Sequence, residues 1–188
     1  WDCTGVYLLA YAMPRRKIML TGKLPGVTPQ LDVAAARAII SDGRGWNNKD
    51  RNSAYDQMSE DELIERLGSW SPIVRERAAM AFARRKDAPV TRIIELLESP
   101  SLEARYGACQ ALAQLRGRAA PAVERLRTNL NSEDLWLRVK AADALAAIGR
   151  PAMECVPELL ELLTQVDLEK DPRGMQQRYL TFALFDRG

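Results

Sequence analysis

Three groups of side chains carry the chemistry that this sequence could do. At helical spacing Arg77, Met80 and Arg84 share one stripe, Tyr106, Gln110 and Gln114 a second, and Lys140 and Asp143 a third. Cations, amides, an aromatic ring and a thioether in that mixture suit a protein or peptide surface better than a phosphate backbone. An ordinary solvated helix face is the competing reading of the same residues. The second group is a ladder, Arg75, Arg105 and Arg138. It reads as structural hydrogen bonds to turns and neighbouring carboxylates or, with side chains turned outward, as an anion-binding row. The third group is Asp42, Asn47, Asn48 and Asp50, in and beside the polar stretch Gly43 to Met58. Its spacing departs from the calcium loop DxDxDG and no glutamate completes it, so no metal site is expected.

Reaction chemistry is narrowed by what the chain lacks. There is no histidine among 188 residues, which excludes His-dependent triads, zinc sites built on His and imidazole acid-base work. Neither GxSxG nor a phosphate-binding GxxxxGK[ST] loop occurs. Cys3, Cys109 and Cys155 are odd in number and far apart, so they form no disulfide framework or CxxC site and read as small buried hydrophobes. The compartment stays open. Carboxylates are plentiful, but at solvating helix positions that single out no catalytic pair. The expectation is a non-enzyme with no catalytic residue and no cofactor.

Composition fits a soluble globular chain, 47% hydrophobic and 28% charged. The net charge of +2 divides unevenly: eight Lys and Arg against five Asp and Glu precede Ser59, and nineteen against twenty follow from there. That near-neutral second part needs no phosphate partner, and nucleic acid is disfavoured. The longest apolar run, Val6 to Met13, is far short of the roughly 20 residues that cross a bilayer, so no membrane partner is expected. The chain opens at Trp1 inside an apolar pattern, and Lys17 to Thr21 reads as a lone strand with nothing to pair with. Both features suggest a piece of a longer protein.

The elements that must position these side chains follow from a repeat of about thirty residues. Laying Arg75, Arg105 and Arg138 over one another brings Ala78, Ala108 and Ala141 into line. Ala81, Ala111 and Ala144 then align, followed by Phe82, Leu112 and Leu145. The pattern predicts helix pairs near 59–86, 89–116, 120–149 and 151–186, preceded by an extension over 1–58. Within that extension a helix is expected from Pro29 to about Ser41, and Trp46 and Tyr55 should pin the polar loop to the helices. Ser59-Glu60-Asp61-Glu62 is a capping box for the first pair. The serine-prolines Ser71-Pro72 and Ser99-Pro100 are read as matching turns, and Asn131-Ser132 as the third break. The last pair, more aromatic and joined by a longer turn, reads as a terminal one.

The runs Val74-Arg75, Ala78-Ala79, Ala81-Phe82-Ala83 and Leu137-Arg138, Ala141-Ala142, Ala144-Leu145, Ile148-Gly149 resemble the HEAT repeat, and within it the short bacterial variant named after phycobilisome lyases. The resemblance covers Ser59 to Gly149 well, the last pair loosely and the stretch before Ser59 not at all. It implies an all-α, right-handed solenoid whose matching arginines are structural and whose second helices line the concave side. The opening YAMPRRKIMLTGK with a HEAT-like tail also looks like a piece of a family of large multidomain bacterial proteins. The implied function is a protein-interaction or intramolecular docking module, with another protein or another domain of the same polypeptide as partner. One alternative borrows from HEAT-like DNA glycosylases and casts Trp70, Trp136, Asp143, Arg77 and Arg84 as a DNA-holding set. Another is a structural spacer between enzymatic domains.

Overall fold

A capping box opens the first helix. In the computed structural model, which describes residue 52 and residues 54–187, Ser59 Oγ accepts the Glu62 N–H at 3.2 Å and the Glu62 carboxylate accepts the Ser59 N–H at 2.7 Å. Two donors that a helix start leaves unpaired are thereby satisfied. The helices that follow are α1 (Glu60–Leu67), α2 (Pro72–Arg84), α3 (Val90–Glu95), α4 (Leu102–Leu115), α5 (Val123–Asn129), α6 (Leu135–Ile148), α7 (Val156–Thr164) and α8 (Met175–Arg187). Turns of 3-10 helix at Leu96–Glu98, Arg116–Ala122 and Arg150–Cys155 lengthen α3 and lead into α5 and α7. The described residues contain no strand, and the helices form four successive pairs, an all-α solenoid. The apolar start, the Lys17 to Thr21 strand, the Pro29 to Ser41 helix, Cys3, Trp46 and the Asp42 to Asp50 cluster lie outside the described residues. The tail of the polar stretch is helical at 54–56, and Tyr55 packs on the core.

One turn, used three times, joins the two helices within each of the first three pairs. The N–H groups of Ser71, Ser101 and Asp134 each donate at 3.2 Å to the hydroxyl two residues earlier, on Ser69, Ser99 and Ser132. Such local bonds compete with helix and so end one helix and start the next. The matching of Ser71-Pro72 with Ser99-Pro100 is therefore corrected by two residues: Ser69 corresponds to Ser99 and Ser71 to Ser101. Ser101 and Asp134 also cap α4 and α6, accepting from Ala104 N–H at 3.2 Å and Leu137 N–H at 2.7 Å. Helix α5 begins at Val123 rather than Ala120 because Pro121 sits in the tighter 3-10 turn before it. Gly149, at φ 75°, closes α6.

The second helices stack in sequence, α2 on α4, α4 on α6 and α6 on α8. Ala78, Ala81, Ala108, Ala111, Ala141 and Ala144 are fully buried along the way, because small side chains let helix axes approach. Phe82, Leu112 and Leu145 fill the space one turn on. The tightest approach is at Gly107 on α4, where an added Cβ would stand 2.0 Å from the Leu67 carbonyl oxygen at the end of α1. Backbone cannot yield there as a flexible side chain would. Gly107→Ala should therefore cost about 3 kcal/mol in urea unfolding. Gly117→Ala, with nothing within 4 Å of its new Cβ, should stay within about 0.5 kcal/mol of wild type.

Candidate interaction site

The arginine ladder points inward. Arg75, only 5% exposed, donates from one terminal nitrogen to the carbonyls of Ser69 at 2.6 Å and Trp70 at 3.0 Å. Arg138 repeats the arrangement, donating to Ser132 O at 2.7 Å and Glu133 O at 3.1 Å. Each guanidinium thus satisfies carbonyls of the turn entering its own helix, and burial holds the Arg75 pKa below its ordinary value. Arg105 occupies the same position in its helix, and its Nε, like that of Arg75, is buried without a partner. The last pair substitutes an amide: Arg138 Nε donates to Gln176 Oε1 at 2.8 Å, and Gln176 Nε2 donates to Leu162 O at 3.0 Å and Gln165 O at 3.3 Å. Arg75 and Arg138 are turn supports rather than members of an outward anion row.

Tyr106 ties three repeats together. Its hydroxyl donates to Asp134 Oδ1 at 2.8 Å, the same oxygen that caps α6. Its ring lies 5.7 Å from the Arg75 guanidinium carbon and 5.9 Å from Lys140 Nζ, within cation–π range on both counts. Burial, then the Asp134 bond, pushes the phenol up to about 12, so it stays a donor at every working pH. Burial and the nearby Arg75 charge lower the Lys140 pKa.

A groove of about 170 Å³ crosses the second helices, lined by Glu76 and Ala79 of α2, Gln110, Ala113 and Gln114 of α4, and Lys140 and Asp143 of α6. Four of the eight residues expected on this surface, Gln110, Gln114, Lys140 and Asp143, meet there, with Tyr106 beneath Lys140. Arg77 is half-buried and Met80 is exposed on α2, both off the groove lining. Arg84 is engaged elsewhere: its Nε and a terminal nitrogen donate to Asp56 Oδ1 at 2.8 and 2.6 Å. The charged residue of α2 that does reach the groove is Glu76. The repeat alignment itself carried that signal, since laying Arg75 over Arg105 lays Glu76 over Tyr106.

Two further arginines were not singled out by the sequence reading. Arg118 donates to the carbonyls of Ala83 and Arg85, both at 2.6 Å, holding the end of α2 from the next repeat. One repeat earlier, Arg85 reaches Met58 O in the same way. A basic residue just past the second helix is the sequence signal for both, favoured by the negative end of the helix dipole. On the first helices the charges pair between repeats: Arg92 with Glu60 and Asp61, Arg125 with Glu98, and Arg127 with Glu158.

The DNA-holding set is not gathered into one site. Trp70 flanks a separate cavity, Trp136 packs edge-on against Tyr179 at 5.5 Å, and Arg84 binds Asp56, while Asp143 lines the groove. Cys109 and Cys155 are buried free thiols, and burial pushes Cys109 up to about 12, far from nucleophilic. Among the described residues no group of three acidic or sulfur ligands could hold a metal ion, and no helix is long and apolar enough to cross a membrane.

A family model for HEAT repeats matches residues 60–134, from the start of α1 to the cap of α6. Residues 60–134 are thus similar to HEAT repeats, which supports a HEAT-like reading of the helix stack. No curated protein matches the chain. The match ends where Asp134 begins the third second-helix, yet the turn-supporting arginine and the buried alanines continue through Ile148.

Because Tyr106 and the α6 cap share one oxygen, their losses should not add. Asp134→Ala should cost about 1–2 kcal/mol and Tyr106→Phe about 1 kcal/mol. The double variant should fall short of the sum by about 0.5–1 kcal/mol in a denaturation cycle. Asp171 gives a pH prediction. Its carboxylate accepts the Gln176 and Met175 N–H groups, both at 2.8 Å, which hold it below the usual carboxylate range. A depressed folded pKa means that the stabilisation is complete above that range and is lost as pH falls through it. Amide exchange in α8 should accelerate on acidification before that in α4, and Asp171→Asn should show the loosened α8 already at neutral pH.

Proposed function

We propose that residues 59–188 are a non-catalytic protein-docking module and that the face of its second helices is the contact surface, with residues 1–58 as an extension of it. HEAT repeats generally mediate protein–protein interaction, which supports the class of function. The observation that carries the surface is the difference between the two faces. Several first-helix charges pair between repeats, whereas three second helices converge on a groove of amides and mixed charge. Glu76 and Asp143 against Lys140 leave that groove one negative charge in excess, which repels a phosphate backbone and suits a peptide. A repeat length of about thirty residues supports the short, phycobilisome-lyase-type variant. The partner is a separate protein or another domain of a larger bacterial polypeptide.

Tyr106 and Lys140 also support the fold, so they are poor probes of the surface. Gln114→Ala combined with Asp143→Ala changes the groove, and Arg92→Ala changes the opposite face. With partners captured by crosslinking and identified by mass spectrometry, the groove variant should lose about tenfold or more in affinity for them. Arg92→Ala should bind like wild type. Equal binding by the groove variant, with an unchanged helical spectrum, removes this face from consideration.

A further inference from the structure

Trp70 is 82% exposed, unusual for the largest apolar side chain. It occupies the middle of the turn that recurs as Pro100 and Glu133 in the next two repeats, so the turn itself does not call for an indole. Nor is this a loose loop. The Trp70 and Ser69 carbonyls both accept from Arg75, and Ser69 Oγ accepts the Ser71 N–H at 3.2 Å. The indole therefore projects from a backbone tied down on both sides of it, and little ordering entropy remains to be lost on binding.

Beside it opens a cavity of about 510 Å³, between the end of α1, the start of α2 and the start of α4. Glu65, Arg66, Val74 and Glu103 line it with Trp70. Glu103 is held ionised, its pKa lowered by a backbone hydrogen bond and by Ser101 Oγ, which lies 3.0 Å away. The charges lining the cavity are Glu65 and Glu103 against Arg66, one negative in excess. Arg66 acts on Glu62, one turn away on the same helix, and Arg75 directs its donors to the turn carbonyls while its charge also acts on Glu103. Glu65 and Glu103, both exposed, line the opening beside the indole.

An aromatic face flanked by two carboxylates is a receptor for a planar cation. A guanidinium stacks on indole and offers paired N–H donors to a carboxylate, while its aliphatic stem covers Val74. We infer that this cavity binds an arginine side chain presented by a protein partner. It is separate from the groove on the second helices, and neither reading depends on the other.

The test follows the indole N–H signals of the intact chain by two-dimensional nitrogen–proton NMR. Trp70→Phe assigns the Trp70 signal, and Trp136 serves as internal control. Acetyl-Gly-Arg-Gly-amide should move the Trp70 signal saturably and leave Trp136 in place. The citrulline peptide, of the same shape without the charge, should bind about fivefold more weakly or worse. Glu65→Gln with Glu103→Gln, both exposed positions, should weaken the arginine peptide by a similar factor without altering the helical spectrum. An unmoved Trp70 signal overturns the inference, as does an equal response to citrulline or an equal shift of Trp136.

Discussion

Burying a guanidinium is costly unless donors find acceptors, and here the terminal nitrogens of Arg75 and Arg138 find them at the turns that join paired helices. Arg75 and Arg138 enter the stack one turn into their helices and find partners in the carbonyls of the turn just behind. Those carbonyls lack helical partners, so donor and acceptor each remove the other's desolvation cost. Removing the arginine would leave unpaired oxygens in the joint between paired helices. The bond thus sets the angle at which one helix of a pair leaves the other, and every later contact inherits that angle. Gln176 shows the same demand met by different means, since an amide both accepts from Arg138 and donates to the carbonyls at the end of α7.

Around these joints the apolar residues do the stacking. The repeat-matched alanines on α2, α4 and α6 are fully buried, and Gly107 brings α4 against the backbone of α1. Close approach of this kind gives each repeat much contact with its neighbour and little core of its own. The ion pairs of the first helices lie at the surface, where each contributes about 0–1 kcal/mol. They repeat in step with the helices, so their effect is more on register than on total stability.

The polar surfaces divide according to whether the fold has already used them. Tyr106, expected as a free contact, is held by Asp134 and flanked by Arg75 and Lys140. Its chemistry is largely absorbed in joining repeats. Gln114 on the groove, and Trp70 on its turn, are placed by the fold without being the residues that set its joints. A rigid helical stack that offers amides on one surface and an indole on an edge has the features of a docking platform, because binding there costs little reorganisation.

Much of this was legible in the sequence, for a physical reason. Helical periodicity, the Ser59 capping box and the recurrence of Arg and Ala are local signals, and they determine the helices, their pairing and the buried stripe. Local signals also misled where two candidates lay close together. Serine-proline looked like the repeating unit, whereas the bond that repeats runs from Ser69, Ser99 and Ser132 to the N–H two residues on. Only the tertiary structure decided which stripe residues meet. One residue along a helix is a rotation of about 100°, and this separates Glu76, on the groove, from Arg77, off it. The same holds for Arg84 and for the cavity beside Trp70, both made of residues far apart in the chain: Asp56 for the first, Glu65 and Glu103 for the second. Periodicity reports which face of a helix is apolar, but the partner of a polar side chain is set by how neighbouring helices cross.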